Sequence, residues 1–389
     1  MKWLDRFRQP KASLNFDFIM LASATGALCV TGLVMVASAS SVISVRETGS
    51  AWAYEQKQII AMIVGGFLLY QISKIRVSVF RFLTYPIFLV SIGGLVLVLA
   101  IGREVGGQKN WIATPFGNLQ PSEYAKLGLV MACAMWVSTQ LKRRASFWFI
   151  LAGPVVFSLV VVILVLAERD LGTPLILGGI ALAILFASGI SWRWMASLST
   201  IAVLLIAAYS IFGPAYRLNR FKAWLSPESF PDTYGYQLLH GQYALASGGL
   251  LGNGLGQSTE KWGALPAPHT DFILAVIGEE LGVLGTMAIM LMLMVLIFSG
   301  TRIAAKTDDD YSRMLAFGVV TWIALQSIVN VGAIVRALPI TGVPLPFISY
   351  GGSSLIPAMA AVGVLLAIAR ENAAKQKARK ARVSVYEEV

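Results

Sequence analysis

A hydrocarbon core about 30 Å thick is crossed by about 20 predominantly apolar residues in a helix. Segments of roughly that length and character recur along the whole of this chain. Ten read as spans: 16–39, 58–73, 82–101, 123–141, 147–167, 172–190, 194–213, 273–299, 314–335 and 351–369. The second is short and the fourth carries charge, so these two fit the pattern least well. Of the 389 residues, 57% are hydrophobic and 13% charged, against about 25% charged in soluble domains. Backbone polar groups in hydrocarbon must be paired within the segment, so such runs fold as helices. The expected fold is an all-α polytopic membrane protein with ten transmembrane helices and a large outer loop between the seventh and eighth. The first span lacks a small-residue cleavage site and is long enough to anchor itself, so no cleavable signal peptide is expected.

Lys and Arg set the orientation. With the N-terminus inside, most of the 31 basic residues fall in cytoplasmic segments, which places both termini in the cytoplasm. The chain divides into a cytoplasmic tail (1–15), a ten-span domain (16–369) that includes the outer loop 214–272, and a basic cytoplasmic tail (370–389). Within that last tail, KQKARKAR (375–382) reads as a positive-inside extension touching anionic lipid rather than as a nucleic-acid site. A shorter outer loop runs from about 102 to 122, and apolar residues at helical spacing in 234–249 predict an interfacial helix. Cys29 and Cys133 fall inside spans, which favours packed apolar roles over a disulfide or metal framework. His240 and His269 are too few for a His/Cys metal cluster.

The basic residues left on the outer side are Arg46, Lys57, Arg103, Lys109, Lys126, Arg169, Arg217, Arg220, Lys222, Lys261 and Arg336. Each alone reads as solvated loop charge. As a group near one face they point to an anionic ligand such as a phosphate or pyrophosphate. In QPSEYAK, Glu123 and Lys126 share a helix face, either as a salt bridge or as a pair in a water-filled cavity where Lys126 meets a phosphate. In ERDLGTP, Asp170 is placed to cap the following helix. The glycines of SGGLLGNGLGQS (247–258) follow no strand, so they read as tight turns or close backbone approach rather than a nucleotide loop. PITGVPLPFISYGGSS (339–354) is non-helical backbone of the kind that lines a cavity.

In PAPHTDFILAVIGEELG (266–282), Thr270 can cap the helix that Asp271 begins. Glu279 and Glu280 lie about 12–13.5 Å further along that helix, where they must pair or meet water. Asp271 instead sits at the outer rim near the basic loop residues. A carboxylate beside an anionic ligand fits the role of general base.

Taken together, LPAPHTDFILAVIGEELG, QPSEYAKL, RDLGT, YRLNRFKAWLSPES, GYQLLHGQYALASGGLLGNGLGQS and LPITGVPLPFISYGGSS resemble the SEDS family (shape, elongation, division and sporulation), over nearly the whole chain. The resemblance implies a ten-span peptidoglycan glycosyltransferase that polymerises lipid II, with Asp271 catalytic. It extends the candidate substrate-binding set to Glu123, Lys126, Asp170, Arg217, Arg220, His269, Ser349 and Gly351. It implies as partners lipid II, a class B penicillin-binding protein and other divisome membrane proteins, in the cytoplasmic membrane at the septum, with the division branch favoured over the elongation branch. A divalent cation, magnesium or manganese, is the one cofactor it leaves open. Three positions depart from the family pattern: Arg169 replaces a usual proline, Arg336 a usual small residue, and Lys109 lies two residues before Trp111 instead of one.

Two other readings compete. A flippase moving lipid II between leaflets fits the polar residues in spans and the broken segment before the last span. However, the chain shows no paired inverted repeat, and its charged motifs cluster on one face. A scaffold protein leaves the outer carboxylate and basic groups unexplained.

Overall fold

The computed structural model describes residues 15–105, 107–114, 117–212 and 215–387. Among these, seven helices precede the large loop: α1 (Phe16–Thr48), α2 (Ala53–Ile72), α3 (Val77–Ile101), α4 (Pro121–Lys142), α5 (Phe147–Ala167), α6 (Gly172–Ala187) and α7 (Trp192–Ile211). The loop carries α8 (Ala215–Leu225) and α9 (Tyr236–Ser247); α10 (Ile273–Ala305), α11 (Asp310–Ile334) and α12 (Gly352–Glu387) follow it. Every expected span has its helix, and α9 forms where the helical spacing predicted one.

Seven helices, α1, α3, α5, α7, α10, α11 and α12, are both long and apolar enough to cross a membrane; α6 is apolar but only 16 residues long. The chain is an integral membrane protein. The other two long helices, α2 and α4, are the ones whose sequence fits the pattern least well. For α4 the reason is position: α3, α5, α6 and α11 all pack on it, so protein rather than lipid surrounds its polar side chains. At the end remote from the large loop, the buried Asp17 of α1 accepts from Arg302 Nε at 2.8 Å and from Lys306, which ties α1 to the end of α10.

Residues 103–119, a loop in the sequence reading, contain a three-stranded antiparallel sheet, β1 (Arg103–Val105), β2 (Gln108–Thr114) and β3 (Gly117–Leu119). Lys109 Nζ reaches from β2 to the Leu99 and Ala100 carbonyls at the end of α3, at 2.7 and 3.3 Å. Ser353 of α12 donates to the Asn118 carbonyl at 2.7 Å and accepts from Gln120 N–H at 3.1 Å.

The feature that organises the loop face is a break in α10. Gly282 has φ 68° and ψ −167°, so the helix divides into 273–281 and 283–305. Such a break frees carbonyls on one side and N–H groups on the other, each costly if left buried and unpaired. The glycine-rich segment fills the gap. Asn253 and Gly254 N–H donate to the Glu279 and Glu280 carbonyls (2.9 and 3.0 Å), and the Gly249 and Leu250 carbonyls accept from Val283 and Leu284 N–H (3.0 and 3.2 Å). Backbones this close leave no room for side chains: a Cβ on Gly248 would lie 1.9 Å from the Gly278 carbonyl oxygen, and one on Gly252, at φ +80°, 2.2 Å from that of Glu280.

Gly248→Ala should therefore lower stability by about 2–3 kcal/mol or prevent folding, the range for overpacking a fixed site. Gly178→Ala, at a helical position in α6 with open space around the new methyl, should be neutral or stabilising by up to about 1 kcal/mol. Thermal unfolding in detergent compares the two.

Candidate active site

Asp271 lies in the turn that leads into α10, partly buried at the loop face. One side-chain oxygen accepts from Thr270 Oγ1 at 2.9 Å. The one Thr270 hydroxyl proton is shared with the Ala267 carbonyl, also at 2.9 Å, and α10 starts at Ile273 without a side-chain cap. The capping role read for Thr270 is thus replaced by a direct bond to the carboxylate. The backbone of Asp271 is fixed separately: Asn330 Nδ2 of α11 donates to the Asp271 carbonyl at 2.7 Å and to the Val343 carbonyl at 2.8 Å. Burial raises the Asp271 carboxyl above its ordinary value; the Thr270 hydroxyl, its own backbone N–H and the charge of Arg220 on α8 act against that rise. A carboxylate held this way is a stronger proton acceptor than an exposed one.

One turn before Asn330, Gln326 continues the same support. Its Nε2 donates to the Pro344 carbonyl (2.9 Å), and its Oε1 accepts from Trp322 Nε1 (2.7 Å) and Lys126 Nζ (2.9 Å). Lys126 pairs with Glu123 at 2.6 Å, their side chains 0% and 2% exposed, and its ammonium lies 5.6 Å from the centre of the Trp322 ring. Of the two arrangements the sequence left open, the pair is a sealed salt bridge inside the bundle. Its link to the loop face runs through Gln326 to Pro344.

Asp170 caps α6 as expected. Its Oδ1 accepts from Gly172 and Thr173 N–H (2.9 and 3.2 Å) and its Oδ2 from Thr173 Oγ1 (2.7 Å). A Cβ on Gly172 would strike Thr341 and Val343, so this cap abuts the segment that Asn330 holds. Glu168, to which the sequence gave no role, is fully buried with neither oxygen bonded. Burial, with the Asp170 charge second, pushes its carboxyl up to about 8.

His269 is buried, its Nδ1 unpartnered, and burial lowers its imidazole to about 4, with Glu47 opposing, so it is neutral at physiological pH. Its ring lies 5.0 Å from Tyr54 and 5.2 Å from Tyr350, and its carbonyl accepts from Tyr350 N–H at 2.9 Å. Ser349 Oγ accepts from Leu345 N–H at 2.8 Å. Gly351 N–H donates to Gln58 Oε1 at 3.1 Å, and the Gly351 backbone has φ +144°. These residues shape the turn before α12 beside the turn that bears Asp271. Arg220 is half-buried and acts on Asp271; the Arg217 side chain lies outside the described residues.

Most of the outer basic group is engaged within the chain. Lys109 binds the end of α3, Arg169 pairs with Glu104 at 3.2 Å, and Arg46 donates to the Trp262 carbonyl at 3.2 Å. Lys261 is buried against Glu280 at 2.7 Å, with Ser38 and the Gly256 carbonyl as further acceptors. Glu279 accepts from Ser258 Oγ and from Thr259 N–H and Oγ1. The two deep acids therefore pair, as their depth required. The described residues hold no group of three or more His, Cys, Asp or Glu able to bind a metal ion.

Two expectations follow. Lys126→Met strands Glu123 and should lower stability by about 3–5 kcal/mol, while Glu123→Leu with Lys126→Met should recover most of that loss; thermal melts of the three proteins decide. For Glu168, the folded state holds a proton that the unfolded chain releases above about pH 4.5. Stability should therefore fall as pH rises from about 4.5 to 8. Glu168→Gln should flatten that slope and melt higher than wild type at pH 8.

The chain matches the family model for cell cycle proteins of the FtsW, RodA and SpoVE type over residues 19–374. It is 36% identical over 354 residues to a probable peptidoglycan glycosyltransferase FtsW of Geobacter metallireducens, covering 90% of this chain and 94% of that one. It is 34% identical over 356 residues to the stage V sporulation protein E of Bacillus subtilis, covering 90% and 96%. A solved chain from a peptidoglycan synthase complex superposes with a TM-score of 0.76 at 26% identity, covering 92% of this chain and 98% of that one. Thermus thermophilus RodA shares the fold at TM-score 0.68 and 24% identity, with the same coverage.

Proposed function

We propose, from the premise that this chain belongs to the FtsW, RodA and SpoVE family of cell cycle proteins, that it is a peptidoglycan glycosyltransferase polymerising lipid II at the outer face of the cytoplasmic membrane. The observation that carries the reading is Asp271: a partly buried carboxyl raised by burial, backed by Asn330 and acted on by Arg220. Asp271 takes the proton from the 4-hydroxyl of the acceptor's N-acetylglucosamine. The freed oxygen attacks the donor's anomeric carbon, the bond to the pyrophosphate breaks, and undecaprenyl pyrophosphate leaves with the electron pair. Arg217 and Arg220, on α8, offset the charge that develops on the leaving group. Lys126, enclosed by Glu123 and Gln326, supports the site through Gln326, which holds the non-helical segment at Pro344.

The positive-inside distribution supports ten spans with both termini in the cytoplasm and the large loop outside. A solved peptidoglycan synthase complex among the similar structures supports a partner that crosslinks the strands, and we assign this to a class B penicillin-binding protein whose membrane helix packs on the later spans. Relatives called FtsW favour a role at the division septum, with other divisome membrane proteins, over one in elongation.

Reconstitution with lipid II tests the reading. Wild type with its partner should form glycan strands on a gel, and Asp271→Asn should lose at least about 99% of the rate, more than 2.7 kcal/mol of barrier. Lipid II crossing the bilayer with no polymer formed would make the protein a flippase instead.

A further inference from the structure

Arg336 lies two residues beyond the end of α11, just after its C-cap Val335. Its backbone has φ 62°, the left-handed region that side chains rarely adopt. The strained residue makes four bonds across to the large loop. Arg336 Nε donates to the Trp224 carbonyl at 3.1 Å, Nη2 to the Leu225 carbonyl at 2.6 Å, and Nη1 to Glu228 at 3.2 Å. In return, Trp224 Nε1 donates to the Arg336 carbonyl at 3.1 Å. Trp224 and Leu225 are the last two residues of α8, where helical carbonyls lack internal partners and a cation is favoured.

The two ends of this clamp lead to the same carboxylate. Arg336 stands six residues beyond Asn330, which holds the Asp271 carbonyl. At the other end, α8 carries Arg220, about one turn before Trp224. We infer that Arg336 is a positioning residue: it locks α8, the helix that carries Arg220, to the end of α11, whose Asn330 holds the Asp271 carbonyl. The inference rests on the reading of Asp271 as the general base.

The groups that bear on Asp271 are the Arg220 charge from α8, the Thr270 hydroxyl from its own turn, and Asn330, uncharged, from α11. His269, two residues earlier, is kept neutral by burial. Arg220 favours the ionised carboxylate, so a loosened α8 leaves Asp271 protonated to higher pH. A merely structural role for Arg336 would leave that ionisation in place.

The test compares Arg336→Gly, Arg220→Ala and their double variant with wild type, in vesicles with lipid II. Glycine suits the left-handed backbone, so Arg336→Gly should melt no lower than wild type. Its polymerisation rate at neutral pH should fall about tenfold or more, and the acid limb of its rate profile should move up by about one pH unit. Arg220→Ala should show the same shift, and the double variant should be no worse than Arg220→Ala. A wild-type rate and acid limb in Arg336→Gly, or additive losses in the double variant, would overturn the inference. Independently of activity, nitroxide labels at the exposed positions 222 and 335 should show a broadened distance distribution in Arg336→Gly; an unchanged distribution would also sink it. Absence of polymer from wild type would count against the polymerase reading, and the label distances would still decide the clamp.

Discussion

Backbone polar groups inside a membrane protein must be paired, and this fold meets that requirement at the buried Gly282 by filling a broken helix with a loop. At Gly282 the α10 ladder stops, and residues 249–254 supply the missing donors and acceptors. Much else on the loop face follows. The same segment continues into Ser258, Thr259 and Lys261, which take up the carboxylates of Glu279 and Glu280 at the end of the first half-helix. With those carboxylates hydrogen-bonded in place, the first half-helix stands as a post, and the turn bearing Asp271 sits at its head.

The acids at this face illustrate how environment divides one chemistry into several roles. Glu279 and Glu280 are saturated with donors, Asp170 is spent on a helix start, and Glu168 is buried without a partner. Among these acids, Asp271 combines partial burial with a hydroxyl donor on its side chain and a cation at longer range. Burial raises its carboxyl and the Arg220 charge opposes that rise, the balance the proposed general base calls for. The polar side chains that enforce this geometry, Gln326 and Asn330, act on carbonyls rather than on the carboxylate, so they fix position without altering charge.

The positions of the long apolar helices were legible because membrane burial leaves its mark along a span, whereas the short helix α8 in the large loop left no such mark. The Glu123–Lys126 contact and the Asp170 cap were legible because charges in or beside apolar runs require reasons. The break at Gly282 was not, since one glycine in an apolar run is common and its partner lies some thirty residues earlier; the close-approach glycines were the only trace. The sheet at 103–119 escaped because its strands are short and carry no strong alternation. Gln326 and Asn330 were missed although their spacing of four places both on one face, a signal that two polar residues share one task. The outer basic residues misled as a set: most turned out to bind carbonyls or acids of the chain itself, and only the contacts could show that.

The way α10 is completed also bears on the order of assembly. Residues 249–254 leave the ribosome before 279–284, and chains fold largely in the order they are made. The receptor for the broken helix is therefore present before the helix that needs it. A circular permutation that delivered α10 first would present an interrupted ladder to the translocation machinery with nothing to close it.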